Sequence, residues 1–425
     1  MVKKEITSSQ KAFFFLRHNN DIDHTVPVLY KWLKTENITT YVIIPTSREL
    51  VKDERIQMLN KYKNANICYL GDFFKKRTLK LFCKYYFKYD TQADNFIKKS
   101  NFAKKFADKR IKIIANKIFK DTKQGIVVFD WTATYFTKKI VEIAKQKKFT
   151  TISLPHGDRV YVSVMERKEH INYEHMDEYK VGEIFDYFVV PNKTCAGRHD
   201  KFFDSKKLKV LGSARYSDEW LKISSNMIKP YNVDNDKGKL KVVMFLRNLG
   251  FPINWEEVAI SIKLISQFND VYLIVKNHPR SANSKYLEEI LEELYPDIEE
   301  NYDKNLKFLY GGVNSVALMK WADIIIDLGT SIVWEAVKDK KPVLMPEYLN
   351  ANYSYIADFM PETEIKCRDQ LYDTIESFAK NKKHKFYKEE GRQRFIREII
   401  DVPDKKILER YVKFLKSCLD ESGKK

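Results

Sequence analysis

Two short stretches carry residue types suited to holding a phosphate. The apolar run VYLIVK passes into Asn277 and then His278-Pro279-Arg280. Pro279 fixes the loop and biases His278 toward extended backbone. An imidazole and a guanidinium then stand at a strand end, where both can donate to phosphate oxygens. The second stretch, DIIIDLGTSIVWEAVK, reads as a buried strand that turns at Gly329-Thr330-Ser331 into a helix. Gly329 permits the tight turn. Thr330 and Ser331 add hydroxyls beside the free N–H groups at the positive end of the helix dipole. Glu335 follows Ser331 by one helical turn on the same face, where a carboxylate can accept hydrogen bonds from ribose hydroxyls. Arg247, closing the run LKVVMFLR, can reach a diphosphate. These residues form the expected nucleotide-phosphate site.

The first half offers candidates for proton transfer. Asp21, Asp23 and His24 follow the strand KAFFFLR, in an expected loop with Thr25 as N-cap and Pro27 in the first helical turn. A carboxylate or imidazole there suits a general base. Asp21-Ile22-Asp23 also has the spacing of a metal-binding pair of acids. His156, in Leu154-Pro155-His156-Gly157, is a further base candidate or a group to steady a departing phosphate. Asp130 ends the run GIVVFD, and with Asp158 and Arg159 it is expected on the acceptor side. His170 and His175 are five apart, which does not match a zinc-binding HExxH helix.

Strand and helix patterns alternate twice along the chain to position these groups. Near-continuous apolar strands such as KAFFFL and VYLIV suit parallel sheets covered on both faces. The expected fold is α/β, with two doubly wound Rossmann-like domains facing a cleft. An N-terminal domain is placed at 1–223, a polar linker at 224–239, a nucleotide-donor domain at 240–385, and terminal helices at 386–425 that could pack back on the first domain.

The 425 residues carry a net charge of +18 and are 44% hydrophobic, enough for two cores. Residues 75–123 hold 16 Lys/Arg against 4 Asp/Glu, interleaved with Phe82, Tyr85, Tyr86, Phe87 and Tyr89. A basic helical insert at about 73–123 is expected, with two helices that each bury one stripe, the second along Ala103, Ala107, Ile111, Ile114 and Ile118. Such a surface suits anionic lipid headgroups. No apolar run is long enough to span a bilayer, and MVKKEITSSQ lacks the apolar core of a signal peptide. The five scattered cysteines include no CxxC pair, which fits a reducing cytoplasm. Together these features predict a cytoplasmic protein, peripheral at the inner face of the cell membrane.

The second half resembles the donor-nucleotide domain of GT-B glycosyltransferases. Its His-Pro loop and Ser/Thr turn are similar to those of bacterial sialyltransferases, capsule-type Kdo transferases and CDP-glycerol glycerophosphotransferases. Leu154-Pro155-His156-Gly157 resembles the "QHG" loop of the latter two groups, with Pro155 in place of Gln. Leu211-Gly212-Ser213-Ala214-Arg215-Tyr216 resembles their "GSPR" segment, with Ala214 in place of Pro. The resemblance covers roughly residues 150–350. It implies a GT-B architecture and a metal-independent, cofactor-free glycosyltransferase building a surface polysaccharide, capsule or lipid-linked glycan. It points to a CMP- or CDP-linked donor, whereas Glu335 is similar to the ribose-binding acid of UDP-using GT-B enzymes. Its partners would be a nucleotide-sugar donor, a glycan or lipid-linked acceptor and an anionic membrane, with no nucleic acid. Two alternatives stand beside it. One is a sugar-nucleotide 2-epimerase of the same fold, which needs no acceptor; the other is a non-enzymatic protein binding polyanions or nucleic acid.

Overall fold

The computed structural model describes residues 10–88, 90–131, 133–157, 161–162, 180–199, 202, 204–233, 238–247, 252–278, 283–302, 304–311, 313–351, 353–382 and 385–424. Two units emerge. The first comprises the described residues within Met1–Gly157, Glu174–Met227 and Glu398–Lys425; the second, those within Asp158–Tyr173 and Ile228–Arg397. The chain returns to the first unit at Glu398.

The first unit is built on a seven-stranded parallel sheet. Its strands are β1 (Gln10–Phe15), β2 (Thr39–Ile44), β3 (Ala65–Tyr69), β4 (Gln124–Phe129), β5 (Thr150–Ser153), β7 (Tyr187–Val190) and β8 (Leu208–Val210), in the order β3-β2-β1-β4-β5-β7-β8. The short β6 (Tyr161–Val162) lies between β5 and β7 in the chain and belongs to the second unit. The apolar runs of β1, β2 and β4 are explained by burial on both faces. Ala12, Phe14, Val42, Ile44, Ile126 and Val128 enter one cluster, and Phe13, Phe15, Ile43, Val127 and Phe129 the other. Phe14 sits opposite Val42 on one side and Val128 on the other, so period-2 alternation fixes the register.

Helix α1 (Asn19–Thr35) covers the first face with the helix Ile407–Glu421, whose Ile407, Tyr411 and Leu415 join the same cluster as Val26 and Leu29. The short α2 (Arg48–Val51) and α3 (Glu54–Leu59) follow β2. The basic segment forms three helices, not two: α4 (Arg77–Lys88), α5 (Asp90–Lys99) and α6 (Asn101–Ile118). Ser100 opens the third, its hydroxyl accepting the Ala103 N–H at 3.2 Å. These helices and α7 (Tyr135–Gln146) cover the second face, and α6 buries the stripe expected from its spacing.

The second unit has a six-stranded parallel sheet of β9 (Leu240–Phe245), β10 (Val271–Lys276), β11 (Leu306–Leu309), β12 (Ile324–Asp327), β13 (Val343–Pro346) and β15 (Glu364–Ile365), in the order β11-β10-β9-β12-β13-β15. A separate antiparallel ribbon pairs β14 (Tyr353–Ser354) with β6. In both units the strand order reverses beside the first strand, at β1/β4 and at β9/β12. In open α/β sheets, ligands bind outside the carboxyl ends of the strands at such points. Among the described residues, no helix is long and apolar enough to cross a membrane.

Candidate functional site

At the β1/β4 switch point the first unit gathers five polar side chains. Arg17 follows β1 and Asp130 follows β4. The Arg17 guanidinium donates to both Asp130 carboxylate oxygens, at 3.2 and 3.0 Å. His156, beyond β5, places Nδ1 2.8 Å from Asp130 and 3.2 Å from Asp21. The Asn20 amide lies 3.3 Å from its other ring nitrogen. Asp21 also accepts the N–H groups of Arg17, at 2.6 Å, and His18, at 3.3 Å. Asp21 and Asp130 are sealed at 0% and 1% exposure, whereas the His156 side chain is 32% exposed. The imidazole is therefore where solvent or a ligand meets this charged cluster.

Asp21 explains where α1 starts. Its carboxylate occupies amide groups that a helix beginning at Asn19 must satisfy. The expected start at Thr25 is therefore corrected: Asp21, Asp23 and His24 lie in the first turns of α1, and Pro27 lies inside the helix.

Burial alone would lower the His156 pKa, but its contacts with Asp130 and Asp21 outweigh burial and carry it up to about 9. Burial opposes ionisation of Asp130 as well, and there the Arg17 charge and the His156 imidazole win, holding it below the usual carboxylate range. Asp21 goes the other way, raised by burial and then by the Asp130 charge. The cluster thus pairs a firmly ionised carboxylate with a carboxyl that tends to keep its proton, both against one imidazole. Asp21, Asp130 and His156 each offer a ligand atom, all within 4.8 Å of one another. A cation there would have to compete with the Arg17 guanidinium for Asp130.

Asp23 and His24 belong to a neighbouring group. Asp23 is paired with Arg55 and, at 3.0 Å, with Arg215. Burial raises its pKa, but Arg215 and Arg55 more than reverse that. His24 is buried edge-on to Tyr216, with ring centroids 6.2 Å apart, and burial followed by the Arg215 charge lowers its pKa to about 3. His24 is therefore neutral at ordinary pH. Gly157, at φ +143°, lies over it: a Cβ at this position would come 3.5 Å from the His24 ring nitrogen. Asp158 and Arg159 lie outside the described residues.

In the second unit, Arg247, His278 and Gly329-Thr330-Ser331 follow β9, β10 and β12, three neighbouring strands, and so share one carboxyl edge. Gly329 adopts φ +107°, which favours glycine. Asp327, the last residue of β12, accepts the N–H groups of Gly329 at 2.7 Å and Thr330 at 2.8 Å, and the Thr330 hydroxyl as well. The Gly329 and Thr330 amides thus serve Asp327 within the turn, and Ser331 heads the helix Ile332–Lys338. Burial raises the Asp327 pKa to about 6, against the hydrogen bonds from Thr330 and Gly329 and the Arg247 charge. Glu335 is buried at 6% exposure. His278 is half-buried behind Asn277 and the buried Lys276, whose pKa is lowered by burial. Pro279 and Arg280 lie outside the described residues.

Arg17, Lys276 and Asp327 were not singled out in the sequence. Each ends or directly follows a buried apolar strand, and that position was the available signal.

No protein-family model and no curated protein sequence matches the chain. Solved structures do. Staphylococcus aureus MnaA in complex with UDP aligns with a TM-score of 0.60 at 14% identity, over 97% of both chains. A UDP-GlcNAc 2-epimerase from Methanocaldococcus jannaschii gives 0.57 at 16% identity, over 96% of this chain and 99% of that one. The UDP-GlcNAc 2-epimerase of Neisseria meningitidis bound to UDP-GlcNAc gives 0.55 at 12%, over 97% and 100%. The fold is thus α/β and GT-B-like, with two Rossmann-like parallel-sheet units. The likeness overturns the glycosyltransferase expectation drawn from the Kdo, sialyl and glycerophosphotransferase resemblance. Whole-chain similarity runs to UDP-GlcNAc 2-epimerases, and the ligands named in the first and third of these structures are UDP and UDP-GlcNAc, not a cytidine nucleotide.

Proposed function

We propose that the chain is a sugar-nucleotide 2-epimerase acting on a UDP-N-acetylhexosamine. Inverting C2 requires its proton to leave one face while the electron pair expels UDP from C1, giving a 1,2-unsaturated sugar, and a proton to return to the other face of C2 as UDP re-adds at C1. That calls for an acceptor and a donor held close together with different proton affinities. The observation that carries the reading is the contact of His156 with both Asp130 and Asp21, one carboxyl biased toward ionisation and one against it, at the carboxyl edge where this fold class binds ligands. His156, the exposed member, meets the sugar and exchanges the proton, with Asp130 as its charge partner and Asp21 as the proton store behind it. Arg17 keeps Asp130 ionised. In the second unit, Arg247, His278 and the Ser331 hydroxyl are the nucleotide-phosphate contacts, with Glu335 toward the ribose. Fold likeness to UDP-GlcNAc 2-epimerases supports the substrate class.

The test is incubation of the purified chain with UDP-N-acetylglucosamine in D2O and no acceptor. The expected result is deuterium at C2 together with the 2-epimer, read by proton NMR. No C2 exchange with any UDP-N-acetylhexosamine would sink the proposal.

A further inference from the structure

Helix α6 carries two apolar stripes, and the sheet explains only one. Ala103, Ala107, Ile111, Ile114 and Ile118 are buried in the first unit's core. Phe102, Phe106 and Ile113, spaced by four and seven residues, form a second line on the outside. They are 82%, 45% and 41% exposed. Helix α4 widens the patch: Phe82 meets Phe106 edge-on, with ring centroids 6.2 Å apart, and Leu81 and Tyr85 are exposed beside it. On α5, Phe96 is 65% exposed. Of the ten large hydrophobic side chains exposed among the described residues, six lie on these three helices.

The charges are sorted around this patch. Asp94 accepts the Tyr86 hydroxyl and the Tyr135 N–H, and Asp108 accepts the Tyr135 hydroxyl, so both are engaged toward α7. Lys105, Lys109 and Lys112 flank the outer stripe of α6, and among the described residues none of them has an ion-pair partner. Lys80 and Lys84, each one position before Leu81 and Tyr85, line a cavity of about 370 Å³ with Thr46, Ser47 and Arg48. Thr46 donates to the Arg17 carbonyl and Arg48 is paired with Asp72, so it is the Lys80 and Lys84 ammonium groups that suit a phosphate headgroup.

We propose that the outer face of α4, α5 and α6 docks on an anionic lipid bilayer. The lysines would meet phosphate headgroups while the Phe102, Phe106 and Ile113 side chains enter the acyl boundary. Charge complementarity selects an anionic partner, and the aliphatic members select lipid over nucleic acid, because Leu81 and Ile113 have no π-face on which a base can stack. This docking stands on the exposed face alone and is independent of the reaction proposed above.

The experiment is vesicle flotation of the full chain. It should float with phosphatidylcholine vesicles containing phosphatidylglycerol and stay behind with phosphatidylcholine alone. Neutralising Lys105, Lys109 and Lys112 together should weaken partitioning by about fivefold per lysine. The variant Phe102→Ser/Phe106→Ser/Ile113→Ser, of unchanged charge, should lose roughly tenfold or more. Both variants should keep the parental melting temperature, because the altered side chains lie outside the core. Equal flotation with both vesicle types, or undiminished flotation of the serine variant, would overturn the proposal. So would binding of a single-stranded oligonucleotide by the parent without any vesicle binding.

Discussion

His156 Nδ1 stands 2.8 Å from Asp130 Oδ2, so an imidazole that is one-third exposed caps a carboxylate that is fully enclosed. The contact makes His156 carry a charge well above the pH at which a free histidine loses it. Its folded pKa, about 9, exceeds the ordinary 6.5. The resulting stabilisation is complete below pH 6.5 and is lost as pH rises through about 9. The melting temperature of the parent should therefore fall across that interval, and His156→Gln should flatten the slope. The same variant should cut C2 exchange by roughly a hundredfold or more. A variant that keeps near-parental exchange would remove His156 from the reaction.

Arg17 and Asp130 form a buried pair, at 8% and 1% exposure. Arg17→Met should cost up to about 3–5 kcal/mol, because it leaves the enclosed carboxylate with His156 as its remaining charge partner. The double variant Arg17→Met/Asp130→Leu removes both charges and should recover much of that loss. Urea unfolding of the two singles and the double closes the cycle. Additive losses would show that the pair is not coupled.

Asp327 holds the turn that follows β12. Its folded pKa of about 6 lies above the ordinary 3.8, so its ionisation withdraws stability as pH rises from 3.8 through about 6. Asp327→Asn keeps an acceptor for the Gly329 and Thr330 amides and should abolish that slope in a melting series. By removing a negative charge beside the nucleotide-phosphate candidates, it should also tighten UDP binding by up to about fivefold, read by calorimetry at neutral pH. Weaker UDP binding by a stably folded Asn variant would place the phosphate away from this turn.

His24 gives the opposite acid behaviour. Its folded pKa of about 3 lies below the ordinary 6.5, so the stability tied to its neutral form is present above 6.5 and lost as pH falls through about 3. His24→Leu should flatten the acid limb between those values. Because His24 is neutral and enclosed, any loss of C2 exchange should be pH-independent, in contrast to His156→Gln. A shifted pH–rate profile in His24→Leu would return His24 to the proton-transfer group.

Sequence patterning alone determined the fold class and most elements. Runs such as KAFFFL and VYLIV have nowhere to go but a sheet covered on both faces, and the Ala103–Ile118 spacing can bury only one side of a helix. It also marked Asp21, Asp130 and His156, because polar residues at the ends of such strands stand out. Tertiary structure decided which of them meet. Strand order set β1 beside β4 and brought Arg17 to Asp130 across 113 positions of chain, a pairing that no local spacing encodes. It also gave Asp23 to Arg215 rather than to the His156 cluster. At Gly329-Thr330 it handed the amides to Asp327. Periodicity reports which way a side chain points, but the partner it finds there depends on a neighbouring strand or turn distant in sequence.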